Sequence, residues 1–245
     1  GIVYKALLKI DKAILCLKEC KKFSRYFKSP LLLEELATLF THFAFYAEAE
    51  SLIHRALRYI PEEERTPTYI YLADILTNKG DYRGCLKLLK GKILETAETN
   101  KGFILLLWAQ VYLGLGQIEK AMEVTRKAFL VTQKTRLLPY IRIAAYLTAI
   151  GYSALGEEKK AKEVLKRYRR LLIKYKLTMD FIMWEIILGH KELPQGIEKH
   201  RVIKLALLLR KSSESKKEKD FRKAYLFAER CGLLGTFHRF CLLYT

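Results

Sequence analysis

Asparagine and glutamine are nearly missing from this chain. Two Asn (Asn78, Asn100) and four Gln (Gln110, Gln117, Gln133, Gln195) stand among 245 residues, against 45 Lys and Arg. That bias is found in proteins from hot environments and bears on habitat rather than on activity. Proline and glycine are also few, five and thirteen. An all-β chain spends more of both on its turns, and at 51% hydrophobic residues the chain is not disordered either. Helix is the expectation that remains. The five Cys are odd in number and have no framework spacing, which argues against a disulfide-stapled secreted domain. Free thiols in a reducing, cytoplasmic setting are expected instead. No apolar run reaches the roughly 20 residues that cross a bilayer. The longest, GFILLLWAQVYLGLG from Gly102 to Gly116, contains Gln110 and reads as a buried helix, so no membrane contact is expected.

Catalytic patterns are missing as well. No GxxxxGK[ST], GxGxxG, HExxH or GxSxG occurs, so phosphate cradling, zinc hydrolysis and the serine-nucleophile turn are without support, and neither cofactor nor catalytic residue is expected. GYSALG at Gly151–Gly156 resembles a nucleophile turn only superficially, because its phase puts Ser153 at the end of a helix. Cys16 and Cys20, one helical turn apart, have no third ligand nearby and read as core thiols. Cys231, His238 and Cys241 lack a zinc spacing, and His42 and His54 read as packed or surface histidines.

What is present is a period. Gly1-x-x-Tyr4 is followed by Ala37-x-x-Phe40, Ala73-x-x-Leu76, Ala109-x-x-Tyr112 and Ala149-x-x-Tyr152, at spacings of 36, 36, 36 and 40 residues. A second small residue trails each of these by twelve: Ala13, Ala49, Cys85, Ala121 and Ala161. Two close-packed antiparallel helices admit only a small residue where their backbones cross, and a ring nearby fills the flanking gap. Each unit is therefore predicted to be a helical hairpin. Gly80, Gly116 and Gly156 fall between the paired helices, where glycine takes the left-handed conformation that ends a helix. A helix over Glu157–Lys176 carries an apolar stripe through Ala161, Leu165, Tyr168 and Leu172. Beyond it, helices are expected near Thr178–His190, Gly196–Lys211, Lys219–Cys231 and Leu234–Leu243, with SSESKKEK as a charged loop.

On these residues the unit resembles the tetratricopeptide repeat. Leu36-Ala37-x-x-Phe40, Tyr46, Ala49, Ala56 and Pro61 match its pattern, as do Trp108-Ala109-x-x-Tyr112, Gly116, Ala121 and Ala128. The third unit departs at Leu76 and Lys92, and the fifth at Thr148. The resemblance implies an all-α fold, a right-handed α-solenoid of six to seven antiparallel hairpins. Residues 1–176 hold the repeats, and 177–245 continue them irregularly. Gly1 falls at the eighth position of its unit, so a piece of a larger protein is expected.

The net charge of +19 is concentrated in three places. Residues 1–28 hold eight basic and two acidic side chains, 157–176 nine and three, and 199–223 ten and three, which together carry all of it. A solvated basic face is the plain reading of each. Phosphate binding through Lys162, Lys166, Arg167, Arg169 and Arg170 is the alternative, without any zinc-finger or basic-zipper pattern to favour it.

In the family the concave wall is lined from four positions of each first helix. Carried over, these are Leu31, Glu34, Thr38 and Thr41; Pro67, Ile70, Asp74 and Thr77; Phe103, Leu106, Gln110 and Leu113; and Ile143, Tyr146, Ile150 and Ser153. The clamp that grips acidic C-terminal peptides is not reproduced. Phe103, Leu106, Gln110, Leu113, Ile143, Tyr146 and Ile150 form instead a mostly apolar wall suited to a helix, unless the C-terminal helices cover it. Three functions follow as expectations. The first is a non-enzymatic scaffold binding a protein or peptide partner in that groove. The second is the sensor arm of a large regulator of the maltose-activator type, suggested by AYLFAERCGLLGTFHRFCLLY from Ala224, which resembles joints between such repeats, and by Val164-Leu165-x-x-Tyr168-x-x-Leu171, which resembles a helix of the bacterial transcriptional activator domain. The third is phosphate-backbone binding to nucleic acid.

Overall fold

The computed structural model describes residues 10–91, 98–135, 138–174, 186 and 200–244. All regular structure among them is helical. Twelve α-helices follow one another: α1 (Ile10–Ser24), α2 (Pro30–His42), α3 (Tyr46–Ala56), α4 (Thr66–Lys79), α5 (Tyr82–Gly91), α6 (Glu98–Gly114), α7 (Ile118–Thr135), α8 (Leu138–Ala154), α9 (Glu158–Lys174), α10 (Arg201–Ser215), α11 (Glu218–Cys231) and α12 (Leu234–Tyr244). A short 3-10 turn at Glu62–Glu64 precedes α4. None of the described helices is long and apolar enough to cross a membrane.

Local signals set the helix ends. Ser29 caps α2, its Oγ accepting from the Leu32 amide at 3.5 Å, and Pro30 opens the helix where no donor is needed. Gly80, Gly116 and Gly156 take φ of +90°, +72° and +76° at the three expected turns. Tyr46, Tyr82, Ile118 and Glu158 begin α3, α5, α7 and α9, which spaces these helices by 36, 36 and 40 residues.

Packing follows the small residues. Ala37, Ala73, Ala109 and Ala149 on α2, α4, α6 and α8, with Ala49, Cys85, Ala121 and Ala161 on α3, α5, α7 and α9, are all buried. Each helix from α2 to α8 packs on its successor, and α4, α6 and α8 also touch in sequence. Tyr82 shows how tight the stacking is: a Cβ added to Gly114 would lie 2.0 Å from its ring. The Gly1–Tyr4 pair and all of the expected helix Thr178–His190 except Ile186 lie outside the described residues.

Two expectations fail. Cys16 and Cys20 are exposed rather than core thiols, because α1 turns Leu17 and Ser24 inward and is covered on one side only. The charged loop expected at SSESKKEK shrinks to Lys216 and Lys217. Buried Ser212 and a 2.8 Å Arg210–Glu214 pair carry α10 on to Ser215. Lys216, with φ of +52°, then ends it, and Ser215 Oγ donates to Asp220 Oδ2 at 2.8 Å to hold the turn.

If the small residues are crossing points, Ala109→Leu must force α6 and its neighbours apart. Urea unfolding is expected to show a loss of about 1–3 kcal/mol, while Lys120→Leu on the exposed side of α7 stays within about 0.5 kcal/mol.

Candidate functional site

The side chains expected to line a wall do come together, on α4, α6 and α8, and α12 lies on them. Leu106, Gln110, Leu113 and Ile150 are buried. Phe103 and Ile143 are half-buried in the same cluster, where Leu242 of α12 joins them, and Phe103 stacks on Tyr140 at 5.1 Å. Tyr146 meets the ring of Phe240, also on α12, edge-on at 6.4 Å. Phe237 and Phe240 are themselves buried in the main core.

Glycine makes the seat possible. A Cβ on Gly235 would stand 2.0 Å from the Thr77 carbonyl oxygen and 2.8 Å from the Gly80 nitrogen, so α12 touches the last turn of α4 backbone to backbone. One turn on, the buried guanidinium of Arg239 covers the same helix end. It donates to Thr77 O at 3.4 Å, to Asn78 Oδ1 at 2.5 Å and to Thr236 Oγ1 at 3.4 Å. A cation at the carboxyl end of a helix satisfies orphan carbonyls and complements the dipole there.

Asn78 passes this contact on, donating to Asp74 Oδ1 at 3.2 Å. Burial raises the Asp74 carboxyl to about 6, with Arg239, Asn78 and Arg142 partly opposing the shift. Tyr46, at the start of α3, hydrogen-bonds Thr236, and burial first and Asp74 second push its phenol up to about 12. Tyr82 Oη lies 3.3 Å from His238 Nδ1. A polar seam thus joins α3, α4 and α5 to α12.

The other end of the C-terminal segment is pinned too. His200 Nε2 donates to the His42 carbonyl at 2.8 Å, which leaves its buried Nδ1 without a partner, and burial lowers its pKa. Arg201 lies 3.7 Å over the Phe45 ring and reaches Ala44 O at 3.4 Å. Ala44 itself turns left-handed at φ of +58°.

Upstream the wall is uncovered. Leu31 and Pro67 are exposed, and Glu34, Thr38 and Thr41 half-buried. The candidate anion residues sit on α9. Lys162, Lys166 and Arg167 are exposed, Lys162 lying 3.3 Å from Glu158, whereas the side chains of Arg169 and Arg170 lie outside those described. Ser153 is within the last turn of α8. Cys231 and Cys241 are half-buried and His238 is exposed; His42 and His54 are exposed. No group of three potential metal ligands occurs among the described residues.

Sequence reasoning left out Gly235, Thr236, Arg239 and Asn78. The available signal was the spacing Gly235-Thr236-x-x-Arg239, two small residues and a cation on one helical face. Comparison with protein families, with curated proteins and with solved structures found no match.

The close approach of α12 sets the cost of disturbing it. Gly235→Ala is expected to lose about 3 kcal/mol, and Arg239→Met, which strips the Thr77 and Asn78 acceptors of their donor, about 2–4 kcal/mol, both by urea unfolding. The Asp74 effect has a definite sign. Folding raises this carboxyl, so between about pH 4 and 6 the folded chain holds the extra proton and stability falls as pH rises. His200 and His238 act oppositely below about pH 6.5, since their lowered pKa values favour the unfolded chain once protons bind there. Subtracting the Asp74→Asn pH profile from the wild-type one is expected to isolate the falling limb.

Proposed function

We propose that this chain is a non-enzymatic interaction scaffold, a tetratricopeptide-like α-solenoid segment of a larger intracellular protein. The regular α3, α5, α7 and α9 starts and the buried small residues support the hairpin repeat. One observation carries the functional reading. The faces of α4, α6 and α8 hold a helix, α12, by a glycine contact, aromatic packing and a guanidinium on a helix end. A wall of that build is a helix-and-peptide receptor. Its upstream stretch on α2 and the start of α4 is where an outside partner has access.

The sensor-arm reading has one specific support. Ala224 and Ala228 are buried and Gly232 turns at φ of +66°, so the α11–α12 joint is a hairpin like those between repeats. Phosphate binding rests only on exposed α9 basic residues and is placed third.

The scaffold reading is tested by quantitative capture from lysate with wild type, a Thr38→Arg/Thr41→Arg wall variant and a Lys127→Glu back-face variant. A set of proteins retained by wild type and the back-face variant but lost at least about tenfold by the wall variant, roughly 1.4 kcal/mol, is the expected outcome. Identical recovery by all three contradicts it.

A further inference from the structure

At the uncovered end of the wall, the first turns of α2 and α4 and the turn leading into α4 border an open recess of about 380 Å³. Its frame is rigid. Pro30, Pro61 and Pro67 line it, and each fixes its own φ while offering no backbone donor. Two large side chains stand open at its mouth: Leu31 is 65% exposed and Tyr59 47%. Leu31 and Tyr59 beside the prolines give a partner side chain apolar surface to rest against.

The charge of the pocket runs against that of the protein. Glu34 and Glu64 line it, and Glu62 and Glu63 adjoin it in the 3-10 turn, on a chain of net charge +19. Buried Thr68 donates to the Glu34 carboxylate and fixes its position. Neither Glu34 nor Glu64 is paired with a cation among the described residues. Arg65, the nearest basic residue in sequence, directs its Nε to the Ile60 carbonyl at 2.9 Å. A carboxylate held by Thr68, with that of Glu64 and the exposed Tyr59 ring lining the same recess, suits a guanidinium, which takes paired hydrogen bonds on its edge and a ring on its face.

Size selects the form of the occupant. A helix is about 10–12 Å across with its side chains, too wide for a pocket of this volume set between two helix ends, so one or two side chains of an extended segment enter. An acidic peptide or a nucleic acid meets like charge here. We propose that this pocket is the docking site for an extended partner peptide in which an arginine is flanked by leucine- and proline-type residues. The proposal rests on the scaffold reading and names the chemistry of its partner.

The test is fluorescence anisotropy of the full chain with a labelled Gly-Leu-Pro-Arg-Leu-Pro-Gly peptide and its counterpart with glutamine for arginine. Saturable binding of the arginine peptide is expected, weakening as salt rises. The glutamine counterpart, the Glu34→Gln/Glu64→Gln variant and the Leu31→Ser variant are each expected to bind at least about tenfold more weakly, about 1.4 kcal/mol. The amide oxygen that Glu34→Gln introduces keeps an acceptor for Thr68, and melting curves check that the variants fold as wild type does. Equal binding of the two peptides, no binding of either, or wild-type affinity in the double glutamine variant overturns the proposal. If that happens while the Thr38→Arg/Thr41→Arg variant still loses its partners, the scaffold reading stands and only the pocket assignment falls.

Discussion

The contact between Gly235 and the last turn of α4 is the constraint on which the rest of this molecule depends. Because a single methyl group would collide with the Thr77 carbonyl, α12 comes this close to α4 only with glycine at position 235. That approach brings Arg239 onto the Thr77 and Asn78 acceptors, Phe240 onto Tyr146, and Leu242 into the cluster of α6 and α8. One short helix thereby joins three first helices that otherwise meet mainly along their own neighbours.

This seat divides the wall by chemistry. From the last turn of α4 to α8 it is covered by α12, aromatic, and crossed by the polar contacts of Arg239, Asn78 and Asp74. Toward α2 it is open, framed by proline and bordered by glutamate. The acidic recess thus stands against the net positive charge of the chain, and exposed charges such as those of α9 interact weakly and are screened by salt.

How much of this was legible follows from the range of the forces involved. The hairpins were, because a crossing of two helices is a local demand repeated every 36 residues, and Ala37, Ala73 and Ala109 record it in the sequence, with Ala149 a further 40 on. The turns at Gly80, Gly116 and Gly156 were legible for the same reason. The seven groove residues could be placed on facing helices, but not the helix that lies over them, since Arg239 and Thr77 are 162 residues apart and neither carries a pattern naming the other. Cys20, seven residues after Ala13 as Ala56 is after Ala49, misled because a small residue in phase implies burial only where a second helix covers it. SSESKKEK misled because its charges mask the buried Ser212 and the Arg210–Glu214 pair that prolong α10.

Amide hydrogen exchange along the full chain measures whether α12 is seated as a permanent part of the wall. Permanent seating predicts that the amides of Phe237 to Cys241 exchange as slowly as those of Leu106 to Gln110 on α6, both opening only with the whole core. Rapid exchange of α12, matching the exposed Lys216–Lys217 turn while α6 stays protected, would contradict it and make the entire wall from α4 to α8 open to outside partners.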